Sequence, residues 1–126
     1  MRFHQHSPYA DWGFVDATVQ AREELGDQTD DTRFTEYFAQ AVQEMASEQG
    51  VTFTLTPRDV RHALRLGRIF PPHQRAKKLS FRHHEAAADS SDPQKWLERS
   101  AAEGWKPPQL RRAIAEEEPV GASGAG

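Results

Sequence analysis

The sequence contains no cysteine, which excludes disulfides, thiolate metal sites and thiol nucleophiles and leaves redox chemistry silent on the compartment. No apolar run approaches the roughly 18 residues that a membrane span needs, and the opening MRFHQHSPYADW lacks the apolar stretch of a signal peptide. A cytoplasmic protein with no membrane partner is expected. Also missing are a Gly-rich phosphate loop, a G-x-S-x-G elbow and a carboxylate pair in an apolar setting, so an enzyme is disfavoured and no cofactor is expected.

What is present suits one modest core. The 126 residues are 37% hydrophobic and 28% charged and include three Trp, which predicts a single helical domain over 1–118 followed by a flexible tail, 119–126, ending in GASGAG. The net charge of -3 hides a strong asymmetry. Residues 1–50 carry 3 Lys/Arg against 10 Asp/Glu, residues 51–85 carry 8 against 2, and residues 86–126 carry 5 against 7. His62, His73, His83 and His84 also fall in the basic middle. A positive patch between acidic flanks steers a polyanion through its local field, whatever the total charge.

Hydrophobic spacing and punctuation predict an all-α compact bundle of five to six short helices. A first helix, from about Tyr9, carries Trp12, Val15 and Val19 and stops at Gly26. Asp30, Asp31 and Thr32 offer a cap for a second, in which Phe34, Tyr37, Phe38, Ala41, Val42, Met45 and Ala46 follow the helical repeat until Gly50. The alternation Val51, Phe53, Leu55 is too short and too isolated for a strand and reads as a connection. Thr56, Pro57 and Asp59 start a third helix that runs to about Phe70, before Pro71-Pro72. A basic linker, PPHQRAKK, leads to a short helix from Ser80 through Ala88. Another begins at Asp92-Pro93, turns Trp96, Leu97 and Ala101 inward and stops at Gly104. Lys106 stands in a turn before the last helix, which begins at Pro107 or Pro108, buries Leu110, Ala113 and Ile114 and frays at Pro119.

The third helix carries the chemistry. At 100° per residue Val60, Ala63, Leu64 and Gly67 share one side, and Arg58, Arg61, His62, Arg65 and Arg68 share the other. A helix of this width enters the major groove, where Arg can bond guanine bidentately or grip phosphate. Arg75, Lys77, Lys78 and Arg82 extend the basic stretch, with spacing suited to phosphate contacts. The second helix, the connection and the third helix have the order of a helix-turn-helix, with a longer turn than usual. The same arginine row also fits a solvated helix face, and an acidic protein surface or the acidic first fifty residues would attract it equally, with the same screening by salt.

His83-His84-Glu85 lacks a histidine at the i+4 position that the zincin pattern requires, so no metal site is expected: one histidine packs into or caps the helical core while the other faces solvent or phosphate. His4 and His6 read as part of a mobile terminus. Trp12, Trp96 and Trp105 read as core anchors ahead of base-stacking platforms.

Several stretches carry a resemblance: Val60 to Pro71 (VRHALRLGRIFP), Leu79 to Ala87 (LSFRHHEAA), Trp96 to Trp105 (WLERSAAEGW) and Leu110 to Ile114 (LRRAI), in that order, with Trp12-Gly13 and Leu25-Gly26-Asp27 ahead of them. Together they resemble the LmbU-like regulators of actinobacterial antibiotic clusters and related small phage or plasmid proteins, over roughly residues 12–115. The resemblance implies a compact helical DNA-binding protein of the helix-turn-helix type acting in transcription, with Arg58, Arg61, His62 and Arg65 on the reading helix.

The reading is therefore a sequence-specific binder of double-stranded DNA, a transcriptional regulator with the third helix in the major groove and the 75–82 segment on phosphates. Two-fold operators make a homodimer compatible with it. The alternative is a protein–protein interaction module, a phage or host modulator, that uses the acidic N-terminal half or the basic helix.

Overall fold

Side chains placed just ahead of the helices dictate where most of them begin. In the computed structural model, which describes residues 11–52 and 54–118, Asp11 accepts from the Phe14 N–H at 2.9 Å and Asp30 from the Arg33 N–H at 2.8 Å. Thr56 and Asp59 form a reciprocal box, with the Thr56 N–H donating to the Asp59 carboxylate at 2.9 Å and the Asp59 N–H to Thr56 Oγ1 at 3.2 Å. Ser80 accepts from the His83 N–H at 3.3 Å and Asp92 from the Lys95 N–H at 3.2 Å. Each cap satisfies a backbone donor that the first helical turn leaves unpaired.

The six helices that follow are α1 (Trp12–Leu25), α2 (Asp31–Glu48), α3 (Pro57–Ile69), α4 (Phe81–Ala88), α5 (Pro93–Glu103) and α6 (Pro107–Glu117), with 3-10 turns at Gly26–Gln28 and Pro72–Gln74. The all-α expectation holds, and no strand occurs among the described residues. Val51 to Leu55 forms a connection as expected, without regular structure at its described positions. Lys106 is extended ahead of α6, in the turn where the following prolines place it. His4, His6, Tyr9, Phe53, Pro119 and the expected 119–126 tail lie outside the described residues. The chain gathers into two compact units, Met1–Arg68 and Ile69–Gly126, and the division falls at the end of α3.

The first unit contains the core that α1, α2 and α3 share. Phe34, Ala39, Leu55, Val60 and Leu64 are buried together, with Phe14, Val19, Ala21, Leu25, Phe38 and Val42 packed against them. Phe38 stacks on Phe34 at 5.1 Å between ring centroids. Two buried threonines are satisfied locally, Thr18 by donating to the Phe14 carbonyl at 2.8 Å and Thr35 to the Thr32 carbonyl at 2.8 Å. One expectation fails on α2: Tyr37 and Met45 belong to its apolar repeat but lie 63% and 58% exposed. The apolar arc of α2 is wider than the core it meets, and Thr35 and Ala39 are buried instead.

In the second unit α4 packs against α5 and α6, which also meet each other. Its buried side chains are Phe70, His84, Ala86, Ala87, Ala88, Trp96, Leu97, Ser100, Leu110 and Ile114. Ala101, read as inward, is exposed, and Ala113 is only half-buried. A step of one residue turns the helix by 100°, and it is Ser100, not Ala101, that faces inward. Gly104 closes α5 at φ 70°, a left-handed conformation that favours glycine, and its N–H donates to the Ser100 carbonyl.

Candidate nucleic-acid interface

α3 divides as its sequence requires. Val60, Ala63, Leu64 and Leu66 are each at most 2% exposed, while Arg58, Arg61, His62, Arg65 and Arg68 are all exposed. Leu66, which the two faces sorted by spacing do not include, is also a core residue. Gly67 sits on the packed side, where a Cβ would meet Val19 Cγ2 at 2.4 Å and Val15 Cγ1 at 3.1 Å. The absence of a side chain at Gly67 is therefore what lets α3 approach α1 this closely, with its opposite face turned outward.

The exposed side chains of this face differ in what holds them. Arg58 and Arg61 have no hydrogen-bond or ion-pair partner among the described residues, whereas His62 and Arg65 each hold an interaction within the chain. Arg68 is gripped by Asp31, with Nη1 at 2.9 Å from Oδ2 and Nη2 at 3.2 Å from Oδ1. The same carboxylate receives Arg22 Nε at 2.7 Å, and Arg22 also donates to the Gly26 and Thr29 carbonyls at 3.0 and 3.1 Å. Asp31 thus ties the end of α1, the first turn of α2 and the end of α3. The two guanidiniums hold its carboxyl down at about 2, from an ordinary 3.8. That stabilisation is present above pH 3.8 and is lost as the pH falls toward 2. Sequence alone gave no sign of this pairing, which spans 37 positions.

The remaining candidates belong to the second unit. Arg75 donates Nε to the Phe70 carbonyl at 2.9 Å, and Arg82 pairs with Glu85 at 2.5 Å. Lys77 and Lys78 lie exposed in the turn before α4 without a partner among the described residues. Of the nine candidate positions, Arg58, Arg61, Lys77 and Lys78 are thus the ones without a partner among the described residues.

The paired histidines are structural. His84 is fully buried, accepts the Ala76 N–H on Nε2 at 3.0 Å and therefore carries its proton on Nδ1, which faces the Ser80 carbonyl at 2.8 Å. His83 has the opposite tautomer. Its Nδ1 accepts the Ser80 N–H at 3.1 Å, so Nε2 donates to the Trp105 carbonyl at 2.8 Å. Both ring nitrogens of each histidine are thus engaged within the chain, so neither is left to face solvent or phosphate as expected for one of them, and no group of three metal-binding side chains occurs among the described residues.

Desolvation lowers the His84 pKa below its ordinary 6.5. Between the lowered folded value and 6.5 the unfolded chain binds the extra proton, so stability is complete above that window and falls as the pH drops through it. The urea midpoint is therefore expected to be lower at pH 5.5 than at pH 7.5, and His84→Gln, although itself less stable, should flatten that difference. An unchanged difference in His84→Gln would assign the pH dependence to other groups.

No known family model, curated protein or solved structure matches the chain. No helix among the described residues is long and apolar enough to cross a membrane.

Proposed function

We propose that the protein binds double-stranded DNA through the outward face of α3, with Arg58, Arg61, His62 and Arg65 meeting the major groove, and that it acts as a transcriptional regulator. The observation that carries this reading is a row of cations on one exposed face of a 13-residue helix whose other face is buried. A rod held along one side, with Arg58 and Arg61 unpaired among the described residues, supports this reading because guanidiniums so exposed can meet guanine edges and phosphates. In the second unit Lys77 and Lys78 are available for phosphate. The connection of α2 to α3 over residues 49–56 is compatible with the order of a helix-turn-helix, the arrangement that the proposed likeness to LmbU-like regulators also implies.

The test is titration of duplex DNA at several salt concentrations. The logarithm of affinity should fall linearly with that of salt, with a slope of about 0.9 for each phosphate neutralised. Arg58→Ala and Arg61→Ala should each weaken binding roughly tenfold or more while the helical circular dichroism stays unchanged. Absence of binding, or affinity insensitive to salt, removes the reading. Tyr37 and Met45 lie exposed on α2 and favour a protein contact as a second activity of the same unit. A stoichiometric protein recovered in a pull-down after nuclease treatment would support an interaction module instead.

A further inference from the structure

Scattered exposed apolar residues are ordinary on a protein surface. Tyr37 and Met45, the large hydrophobic side chains most open to solvent among the described residues, are not scattered: they stand eight residues apart on α2 with Ala41 midway. At 100° per residue the three form one line along the helix, beside the face that holds Phe34 and Phe38. Charge of opposite sign marks the two ends of that line. Arg33 lies one turn before Tyr37, and Glu44 and Glu48 lie beside and beyond Met45, all three exposed. Neither Arg33 nor Glu48 has an ion-pair partner among the described residues, and Glu44 accepts from the Gln40 amide at 3.2 Å.

Read from one end the line is Arg, Tyr, Ala, Met, Glu, which is complementary to its own reversal. We propose that it is the surface on which two copies of this chain pair, α2 against α2, antiparallel about a two-fold axis at Ala41. Such a contact is isologous, so every interaction occurs twice. The small Ala41 side chains meet at the axis and let the helices approach to the roughly 8 Å of a close crossing. At each end the Tyr37 ring lies against the Met45 thioether of the other copy, a favourable sulfur–aromatic contact. Arg33 falls beside the other copy's Glu48 on the same flank. A parallel pairing would set Arg33 against Arg33 and Glu48 against Glu48 and is disfavoured by that repulsion. The contact leaves the outward face of α3 unused, so it stands independently of the DNA reading and is tested without DNA.

A single helix pair is a small interface, so the dimer should be weak and concentration-dependent. Sedimentation equilibrium of the full chain is expected to show the molar mass doubling from 14.3 kDa as concentration rises. Because the chain has no cysteine, Ala41→Cys introduces a unique thiol, and mild oxidation should link it to its counterpart across the axis. Glu36→Cys, exposed on the same helix but turned about 140° away from Ala41, should stay largely unlinked under the same oxidation. Arg33→Glu and Glu48→Arg should each weaken association roughly tenfold, because two ion pairs become two repulsions. The double variant should recover most of that loss. Circular dichroism confirms that each variant is folded. A wild-type chain that stays monomeric at every concentration, Ala41→Cys linking no faster than Glu36→Cys, or a double variant no better than the single ones overturns the proposal.

Discussion

Replacing Trp96 with alanine is expected to cost about 3–5 kcal/mol, the range for deleting a fully buried large aromatic. A unit of this size has a stability of only a few kcal/mol at the scale of roughly 0.05–0.15 kcal/mol per residue. The variant should therefore expose α4, α5 and α6 to rapid hydrogen exchange at room temperature. The size of the effect comes from three kinds of contact made by one side chain. Trp96 is fully buried where the helices of its unit meet, and the Arg99 guanidinium lies 4.5 Å from its ring centroid. Its indole N–H donates to Glu118 at 2.9 Å, and the same carboxylate accepts from the Ser91 N–H and hydroxyl, each at 2.8 Å. Those donors hold the Glu118 pKa below its ordinary value. Trp96→Phe keeps most of the apolar volume and removes the donor, so it should lose clearly less than Trp96→Ala. Equal losses in the two variants would put the stability in the hydrogen bond and not in the packing.

Most helix boundaries are legible in the sequence because they are set by neighbours in the chain; the start of α1 is not, since the spacing puts it near Tyr9 while extended Asp11 caps it at Trp12. Thr56-Pro57 with Asp59, Ser80 and Asp92-Pro93 satisfy donors within three residues, and Gly26 and Gly104 terminate helices through their own backbone freedom. The outward row on α3 was legible for the same reason, since periodicity alone sorts Arg58, Arg61, His62, Arg65 and Arg68 from Val60, Ala63 and Leu64. Which of those cations stay unpaired was not legible. By sequence Asp31 is one of three possible caps, but Asp30 takes the cap, and Asp31 is left to bind Arg22 and Arg68 from two other helices. No local pattern encodes a contact of that separation. Periodicity also counts apolar residues without knowing how wide a face the neighbours cover, which is why Tyr37 and Met45 were grouped with Phe34.

Gly67→Ala tests the contact that sets how close α3 lies to α1, and it should destabilise the first unit although alanine is the better helix former. The propensity gain is about 1 kcal/mol. Against it, the new methyl would lie 2.4 Å from Val19 Cγ2 and 3.1 Å from Val15 Cγ1. Valine has a single side-chain torsion with which to retreat, and Val15 is fully buried, so the relief has to come from moving one helix against the other. Overpacking of this kind costs about 1–3 kcal/mol and outweighs the propensity term. Val19→Ala removes both γ-methyls, the offending one included, and should be destabilising alone, through lost burial. Combined, the new methyl at 67 enters space that the two Val19 methyls have vacated, so Gly67→Ala/Val19→Ala should be more stable than the sum of the single losses predicts, by on the order of 1 kcal/mol or more. Urea unfolding of the four proteins of this cycle measures that coupling. A coupling near zero would mean that α3 is not held against α1 at Gly67, and the outward presentation of Arg58 and Arg61 would lose its structural cause.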